Sequence, residues 1–389
     1  MGIRGAAAYI VLYGTLYAAF GVASPFWPKF FETRGLIPQQ IGVILAVAMV
    51  MRLVSGPLLG TLADSLGSLR VVLAGCACVS AAAAVALISA ETFWTLFFVA
   101  LLQAAALAPT TSIADALAVN VASPPIGYGW LRGSASAAFV VGTLSAGQLI
   151  SAADLSPVIW MNASLLLAAA GSTTILLPSE AGRATSQRRL TFPMQKAKAL
   201  LQLSHFRIVI LVSALVYGSH AVYDAFAVIL WSDTGISNST ISVLWSEAVA
   251  AEVFVFFFLG PALLSRFGPR GAEVLAATAG AIRWSVTGAT TSVWLLSLVQ
   301  PLHGLTFALL HLACMRIMAT VVAAPVAATA QALYAFSSGS VTAALTVLSG
   351  TLYAAYGAAA FFLMAVLCVV ALPIGWFGFG DQRGTGESV

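Results

Sequence analysis

Residues 41–70 read IGVILAVAMVMRLVSGPLLGTLADSLGSLR, a long apolar run followed by a short polar turn. The first 23 of these residues contain a single charged side chain, Arg52. A helix rises about 1.5 Å per residue, so a run of this length covers the roughly 30 Å of hydrocarbon in a bilayer. The turn then carries an acid and a base, Asp64 and Arg70, with Gly67 between them. The stretch therefore predicts one membrane-spanning helix, a tight turn and the start of a second helix.

Apolar runs of the same kind recur along all 389 residues. Hydrophobic residues make up 60% of the chain and charged residues only 8%, against about 25% charged residues in soluble proteins. The short alternating pattern of β-barrel strands is absent from the sequence. We predict an all-α membrane protein with twelve transmembrane helices. They lie near residues 7–28, 41–63, 69–89, 93–119, 129–151, 157–177, 207–231, 241–264, 272–291, 293–319, 327–350 and 357–379.

The chain divides at residues 178–205, which carry two prolines and a cluster of basic residues. The two sides resemble each other when one is shifted by 200 or 201 positions, although chance matches in an apolar background are the alternative. The matched pairs are Gly35 with Gly235, Ile41 with Ile241, Arg52 with Glu252, and Gly67 with Gly268. Internal repeats of this size are typical of secondary transporters. We predict two pseudo-symmetric six-helix bundles, 1–178 and 206–389, joined by a cytoplasmic linker, 179–205.

Lysine and arginine residues are concentrated on one predicted side of the membrane, and loops on the other side hold only Lys29 and Arg34. Cytoplasmic loops carry an excess of these residues, so we expect both termini and the linker to be cytoplasmic. The expected location is the bacterial inner (plasma) membrane, and the first apolar run is expected to be retained rather than cleaved. The cations on the cytoplasmic side are Arg4, Arg70, Arg183, Arg188, Arg189, Lys196, Lys198, Arg207, Arg266, Arg270 and Arg383.

The turn GTLADSLGSLR at residues 60–70 resembles the signature loop of the major facilitator superfamily, in which Gly, Asp, Gly and a basic residue recur at this spacing. The resemblance implies the major facilitator fold and a gating loop formed by Gly60, Asp64, Gly67 and Arg70. An acid beside helix N-termini can hold two helices together and release them when the halves move. The corresponding turn of the second half lacks the acid, so the resemblance does not imply a latch there.

Further stretches resemble the phenylpropionate permease family, a branch near the oligosaccharide and nucleoside proton symporters. They are PFW at 25–27, YGWLRGS at 128–134, AEV at 251–253, RW at 283–284, GATT at 288–291, QPLH at 300–303 and HLACMR at 311–316. The resemblance implies uptake of an aromatic carboxylate together with a proton. In the related sugar symporters, an acid, an arginine and a histidine on helices 8, 9 and 10 have comparable parts.

Apart from Arg70, Arg207 and Glu273 at the very start of three spans, eight charged residues fall inside predicted spans, four of each sign. A charge at the bilayer centre costs about 2.5–3.5 kcal/mol even on the milder scale, so such residues usually face a cavity or a partner. Purely structural pairing is the alternative for each of them, most of all for those near span ends. The eight are Arg52, Arg132, Arg283, Arg316, Asp115, Asp224, Glu247 and Glu252.

The proton-coupling residues are predicted to be Glu252, Arg283, His303 and His311. Glu252 lies near the middle of the eighth helix, and Arg283 lies at a comparable depth on the ninth, so the two can pair. A substrate anion that engages Arg283 would then favour protonated Glu252. His303 and His311 are eight residues apart, or about 80° of rotation on a helix, and share a broad face. Hydrogen-bonded core histidines are the alternative.

The substrate site is predicted to contain Arg52, Tyr13, Tyr17, Asp115, His220 and Asp224. Arg52 is the candidate for a substrate carboxylate, because a guanidinium group binds that group bidentately. The rival is a salt bridge between Arg52 and Asp115, although Asp115 is also expected to pair with Arg132. The tyrosines are candidates for stacking on an aromatic ligand, with ordinary packing as the alternative. His220 and Asp224 share a predicted stripe with Tyr217, which suits a cavity wall or a packing seam equally.

The leading function is therefore proton-coupled import of a small aromatic acid by alternating access. The alternatives are a proton-coupled sugar or nucleoside symporter and a drug or metabolite exporter that works by proton antiport. A membrane enzyme or receptor lacks support, since the sequence has no phosphate-binding Gly-rich loop and no cluster of metal ligands. We expect a monomer in the lipid bilayer that handles a small molecule and protons, with no cofactor, no metal and no nucleic acid partner.

Overall fold

The computed structural model describes residues 3–119, 128–150, 154–177 and 194–379, and these residues are almost entirely α-helical. Residues 178–193, which include most of the predicted linker 179–205, lie outside the described residues, as does the side chain of Asp64. We group the described helices into segments 1 to 12. Segments 1 to 6 are Ile3–Ala23, Pro38–Leu66, Leu69–Ile88, Phe93–Leu107 with Thr110–Val119, Tyr128–Leu149, and Ser156–Gly171 with the π-helix Ser172–Leu176.

The second half repeats this arrangement after a short helix, Met194–Gln202. Segments 8 and 9 share the stretch Gly260–Ala289, which breaks at Gly268. Segment 7 is Ser204–Gly218 with Ala221–Asp233, and segment 8 is Asn238–Phe254 with the π-helix Val255–Leu259 and residues 260–267. Segment 9 is 269–289, and segment 10 runs through Val293–Val299, Leu302–Gly304, the π-helix Leu305–Leu309 and Leu310–Val321. Segments 11 and 12 are Ala327–Tyr356 and Ala360–Gly378.

Each predicted span overlaps one of these segments. Eight helical stretches are long and apolar enough to cross a membrane, or nine if the bent pair Ala7–Ala23 and Trp27–Thr33 forms one span. Two of them, Asn238–Ala289 and Ala324–Gly378, contain 52 and 55 residues. A straight helix of that length would measure about 80 Å, more than twice the hydrocarbon thickness, so each provides two crossings. With segment 5, the described residues are consistent with the predicted twelve-helix bundle.

The internal repeat appears in the backbone at two pairs of turns. Gly35 and Gly235 have φ of +80° and +85°, and Gly67 and Gly268 have φ of +63° and +66°. Glycine adopts this left-handed region at low cost, whereas other L-residues are strained there. The sequence alignment pairs the same glycines, so their similar φ angles favour a true repeat over a chance match.

The chain forms two compact units. The first unit contains Met1–Arg189 and also Gly235–Ser246, the beginning of segment 8. The second unit contains Leu190–Thr234 and Glu247–Val389. The limits of the six-helix bundles given above remain a proposal.

The stretch 60–70 is mostly helical rather than a loop. Gly60 lies inside Pro38–Leu66, and only Gly67 and Ser68 interrupt the helices. Ser68 caps the next helix, where its side chain accepts a hydrogen bond from the backbone of Val71. Arg70 donates hydrogen bonds of 3.0 and 2.6 Å to the carbonyl oxygens of Thr173 and Thr174, which belong to the end of segment 6. This arginine therefore ties segment 3 to segment 6, and its part in gating stays a prediction.

Candidate functional site

Three predicted residues meet inside the second unit. The Nε2 atom of His303 lies 3.5 Å from a carboxylate oxygen of Glu252, and its Nδ1 atom lies 2.9 Å from Nη1 of Arg283. The imidazole thus connects the acid of segment 8 to the guanidinium of segment 9. We call Glu252, His303 and Arg283 the triad. The sequence predicted a direct approach of Glu252 and Arg283, and the structure adds that His303 bridges them.

A glycine explains how segment 10 approaches segment 8 at this level. A Cβ atom placed on Gly304 would lie 2.6 Å from the carbonyl oxygen of Ala251 and 2.7 Å from Val255. Only a residue without a side chain allows this distance between the two backbones. Because Gly304 follows His303 and Ala251 precedes Glu252, the close approach brings the imidazole and the carboxylate together.

Arg283 is fully buried and enclosed by aromatic and amide groups. Its Nη2 atom donates to the side-chain oxygen of Gln300 at 2.8 Å, and Tyr223 donates to the same oxygen at 3.1 Å. The guanidinium carbon lies 4.3 Å from the ring centre of Tyr223 and 4.5 Å from that of Trp284. A cation between two aromatic faces is stabilised by each ring quadrupole. Arg283 is thus held as an internal cation, with no exposed surface through which to bind a solute directly.

The hydrogen bond from Arg283 fixes the tautomer of His303. A guanidinium group only donates, so Nδ1 of His303 must accept and therefore carries no proton. In the neutral imidazole the proton then sits on Nε2, where it points to Glu252. Adding a second proton to His303 would require its bond to Arg283 to break. Proton binding in the triad is thereby coupled to the position of the arginine.

The other predicted residues of this unit lie in different surroundings. His220 is buried, where its ring nitrogens bond the carbonyl of Val216 at 3.0 Å and the hydroxyl of Thr306 at 3.1 Å. His311 is half-buried, and its ring lies against those of Phe256 and Tyr334. The π-helix Leu305–Leu309 lies between the two histidines of segment 10, so their angular spacing is not that of a regular helix.

The predicted stripe on segment 7 is not continuous. The segment breaks between Ser204–Gly218 and Ala221–Asp233, and His220 sits in the break. Tyr217 faces segment 10, His220 is buried, and Asp224 is exposed. Tyr217 and His220 nevertheless both contact segment 10, at Phe307 and Thr306, so the predicted shared face holds for these two residues.

A second cluster lies within the first unit. Tyr13 donates a 2.5 Å hydrogen bond to one oxygen of Asp115, and Arg132 lies 3.7 Å from the other. Arg132 also donates to the hydroxyl of Tyr17 at 2.5 Å. The two tyrosine rings stack with centroids 5.9 Å apart. The expected pairing of Asp115 with Arg132 is present, and the tyrosines contact that pair.

Segments 1 and 5 approach closely enough to form this cluster because of two glycines. A Cβ atom on Gly21 would overlap the backbone of Phe139, and one on Gly142 would overlap the backbone of Ala18. Tyr13 is fully buried, which agrees with the packing interpretation of that residue, whereas Tyr17 is half-buried.

Arg52 differs from Arg132 and Arg283, which are hydrogen-bonded inside the two units. Its side chain is exposed, and in the described part of the chain it makes no hydrogen bond or ion pair. The rival salt bridge to Asp115 is not formed in this structure; Asp115 instead contacts Tyr13 and Arg132. Arg52 therefore presents a guanidinium group that is available to a ligand.

Sequence reasoning missed Gln300, Tyr223 and Trp284 as supports of the triad. Gln300 and Trp284 lie in the stretches QPLH and RW, which resemble the phenylpropionate permease family, so the sequence carried a weak signal for a role of these two residues. Tyr223 carried none, because one aromatic residue in an apolar run looks like ordinary core.

Apolar helices long enough to cross a membrane, with charged side chains held between them, are typical of multi-pass membrane transporters. The chain belongs to the MFS_1 like family of major facilitator transporters, whose family model matches residues 7–364. It is similar to the probable 3-phenylpropionic acid transporter of Escherichia coli (strain K12), with 31% identity over 377 residues, which covers 93% of this chain and 94% of the relative. It also resembles the maltose permease of Geobacillus stearothermophilus, with 23% identity over 92% of this chain and 91% of the relative.

Solved structures support the same fold. The nucleoside transporter NupG matches with a TM-score of 0.84 at 17% identity, covering 98% of this chain and 100% of that one. A bacterial homologue of the human lysosomal transporter Spinster matches with a TM-score of 0.74 at 14% identity, covering 97% of both chains. At these identities the likeness concerns the fold alone.

Proposed function

We propose that this protein imports a small aromatic carboxylate together with a proton by alternating access in the bacterial inner membrane. The observation that carries the proposal is the triad, in which a carboxylate, an imidazole and a guanidinium are joined inside membrane-spanning segments. Charged groups in such segments usually mark ion or substrate pathways. The 31% identical relative named as a probable 3-phenylpropionic acid transporter supports the substrate class.

The triad provides a physical basis for coupling. Glu252 is the group that gains and loses the proton, and His303 relays its state to Arg283. When Glu252 is ionised, the Nε2 proton of His303 points to its carboxylate, and Nδ1 remains free to accept from Arg283. When Glu252 is protonated, its attraction to His303 weakens, and the ring can reorient. The proton thus changes the packing between segments 8, 9 and 10, the kind of two-state change that transport requires.

Arg52 is the proposed ligand for the substrate carboxylate, since it is exposed and unpaired within the described part of the chain. A charge-assisted hydrogen bond to a carboxylate contributes about 1.5–3 kcal/mol, or roughly a 10- to 150-fold change in affinity. We expect Arg52→Gln to raise the KM for 3-phenylpropionate by about tenfold or more. The uncharged amide of the same acid tests specificity, because its weaker binding should not change. Arg316→Gln, at an exposed arginine of segment 10, is the matched control.

The test of coupling uses purified protein in proteoliposomes with labelled 3-phenylpropionate. Accumulation should follow an imposed inward proton gradient and collapse with an uncoupler. Glu252→Gln should abolish uphill accumulation while exchange of labelled for unlabelled substrate continues. The control is Glu247→Gln on the same segment, where the carboxylate accepts a 2.8 Å hydrogen bond from Ser297.

Other outcomes identify the alternatives. Accumulation of maltose or a nucleoside in place of the acid would make the protein a sugar or nucleoside symporter. Exit of the solute as protons enter would make it an exporter. Accumulation that ignores the uncoupler, or equal loss of uphill transport and exchange in Glu252→Gln, would contradict the proposal.

A further inference from the structure

A second carboxyl group of the second unit lies outside the triad. Glu273, near the start of segment 9, is only 1% exposed. One of its oxygens lies 3.8 Å from the thiol of Cys314, and the other has no hydrogen-bond partner in the described part of the chain. Gly375 of segment 12 makes room for it, since a Cβ there would lie 3.3 Å from the unpartnered oxygen.

The surroundings of Glu273 do not suit a permanent negative charge. The nearby cation on its own segment, Arg270, packs over the ring of Trp376 at 4.0 Å and forms no ion pair with Glu273 in the described structure. The other titratable groups that face it are the thiol of Cys314 and, beyond that thiol, the hydroxyl of Tyr334. A buried carboxylate without a cation is costly, so the group needs a proton or a route by which to obtain one.

Such a route is present as a row of hydrogen-bonding groups. Tyr334 belongs to the same buried cluster as Cys314, and its hydroxyl donates to that of Tyr217 at 3.1 Å. The hydroxyl of Tyr217 is exposed, where it lies 3.4 Å from the carbonyl oxygen of Phe307. The row therefore runs from a buried carboxyl group through segments 10 and 11 to an accessible hydroxyl on segment 7.

The two acids lie at different depths relative to the same turn. Glu252 is sixteen residues before Gly268 and Glu273 is five residues after it, so they lie about 24 Å and 7.5 Å along their helices from that turn. The charge distribution predicts that this turn is cytoplasmic. Glu273 is thus the acid nearer the expected cytoplasmic side.

We propose that Glu273 is a second proton-binding residue of this transporter, which exchanges its proton through Cys314, Tyr334 and Tyr217. In the structure Tyr334 donates to Tyr217, so inward transfer requires both hydroxyl groups to rotate first. A proton that reaches the oxygen of Tyr217 then releases the phenol's own proton to Tyr334. Tyr334 in turn passes one to Cys314, and the thiol passes its proton to the carboxylate of Glu273. One proton enters, one carboxylate becomes a carboxylic acid, and the intermediate groups are unchanged.

The proposal rests on proton coupling as proposed above, so its first test does not depend on transport. In the infrared difference spectrum of purified wild type minus Glu273→Gln at pH 7, we expect the carbonyl band of one protonated carboxyl group. Glu247→Gln should not remove that band. In D2O the band should shift, and in Tyr334→Phe the shift should be at least tenfold slower than in wild type. The exposed Tyr356 of segment 11 provides the matched control, Tyr356→Phe.

The second test measures protons moved per substrate in proteoliposomes. Glu273→Gln should lower substrate-driven proton uptake at least tenfold, with exchange within about twofold of wild type. A missing band, or a wild-type proton-to-substrate ratio in Glu273→Gln, overturns the role of Glu273. If wild type itself moves no protons with substrate, the proposed function fails, and the infrared band alone then decides whether Glu273 binds a proton.

Discussion

Gly304→Ala tests the close approach on which the triad depends. The added Cβ would lie 2.6 Å from the carbonyl oxygen of Ala251, whereas ordinary van der Waals contacts begin at 3.4 Å. Segments 8 and 10 must therefore separate by about 0.8 Å at this level, because the obstructing atom is backbone and cannot rotate away. The distance from Nε2 of His303 to the carboxylate oxygen of Glu252, now 3.5 Å, would then rise to about 4.3 Å, which is too long for a hydrogen bond.

We expect two consequences of Gly304→Ala. Overpacking of this kind costs about 1–3 kcal/mol, which should lower the thermal stability of the protein in detergent. Uphill accumulation of substrate should also fall, because Glu252 loses its contact with His303. Gly304→Val should lower both the thermal stability and the uphill accumulation further than Gly304→Ala does.

The matched control is Gly75→Ala in segment 3, where a Cβ would meet nothing within 4 Å. Replacing a helical glycine by alanine in open space stabilises a helix by up to about 1 kcal/mol, so this variant should be as stable as wild type or more so. Wild-type stability together with wild-type accumulation in Gly304→Ala would refute the account of how the triad is assembled.

Two further predictions concern the turns and the first-unit cluster. Gly67→Ala and Gly268→Ala should each destabilise the protein by about 1–2 kcal/mol, since both glycines have positive φ, whereas Gly60→Ala inside a helix should not. Thermal unfolding in detergent compares the three variants, and equal stability of all three would contradict the repeat of turn geometry. A double-mutant cycle of Arg132→Gln and Asp115→Asn should give a coupling energy of about 0.2–1 kcal/mol, because both side chains are partly exposed. If the two changes in unfolding free energy are strictly additive, the ion pair contributes nothing to stability.

The sequence predicted the helices and the paired turns because both depend on local signals. An apolar run of about 20 residues has few alternatives to a membrane helix. A glycine between a helix and the next apolar run predicts a tight turn, and the four aligned glycines all have positive φ. The acid–base pair in the first unit could also be predicted, because Asp115 and Arg132 lie at similar depths on neighbouring helices.

The internal order of the triad could not be predicted in the same way. The contacts of His303 with Glu252 and Arg283 depend on how three segments that are far apart in the sequence pack at this level. They depend also on Gly304, one of 33 glycines in the chain, whose special contact is visible only in three dimensions. Glu273 was overlooked for a related reason: an acid close to the end of an apolar run resembles a residue in contact with water.

The repeat connects the two proposed roles. Arg52 and Glu252 occupy aligned positions, each after a turn glycine with φ near +80° and before a second one with φ near +65°. The same scaffold therefore places an ionisable side chain at the same point of segment 2 and of segment 8, and only the sign of the charge differs. In the second half, Gly304 admits a histidine that engages the acid, whereas the arginine of the first half is left exposed. The aligned positions thus carry a cation available to a carboxylate in one half and an acid in contact with a histidine in the other, so we expect substrate binding and proton binding to be altered by separate substitutions.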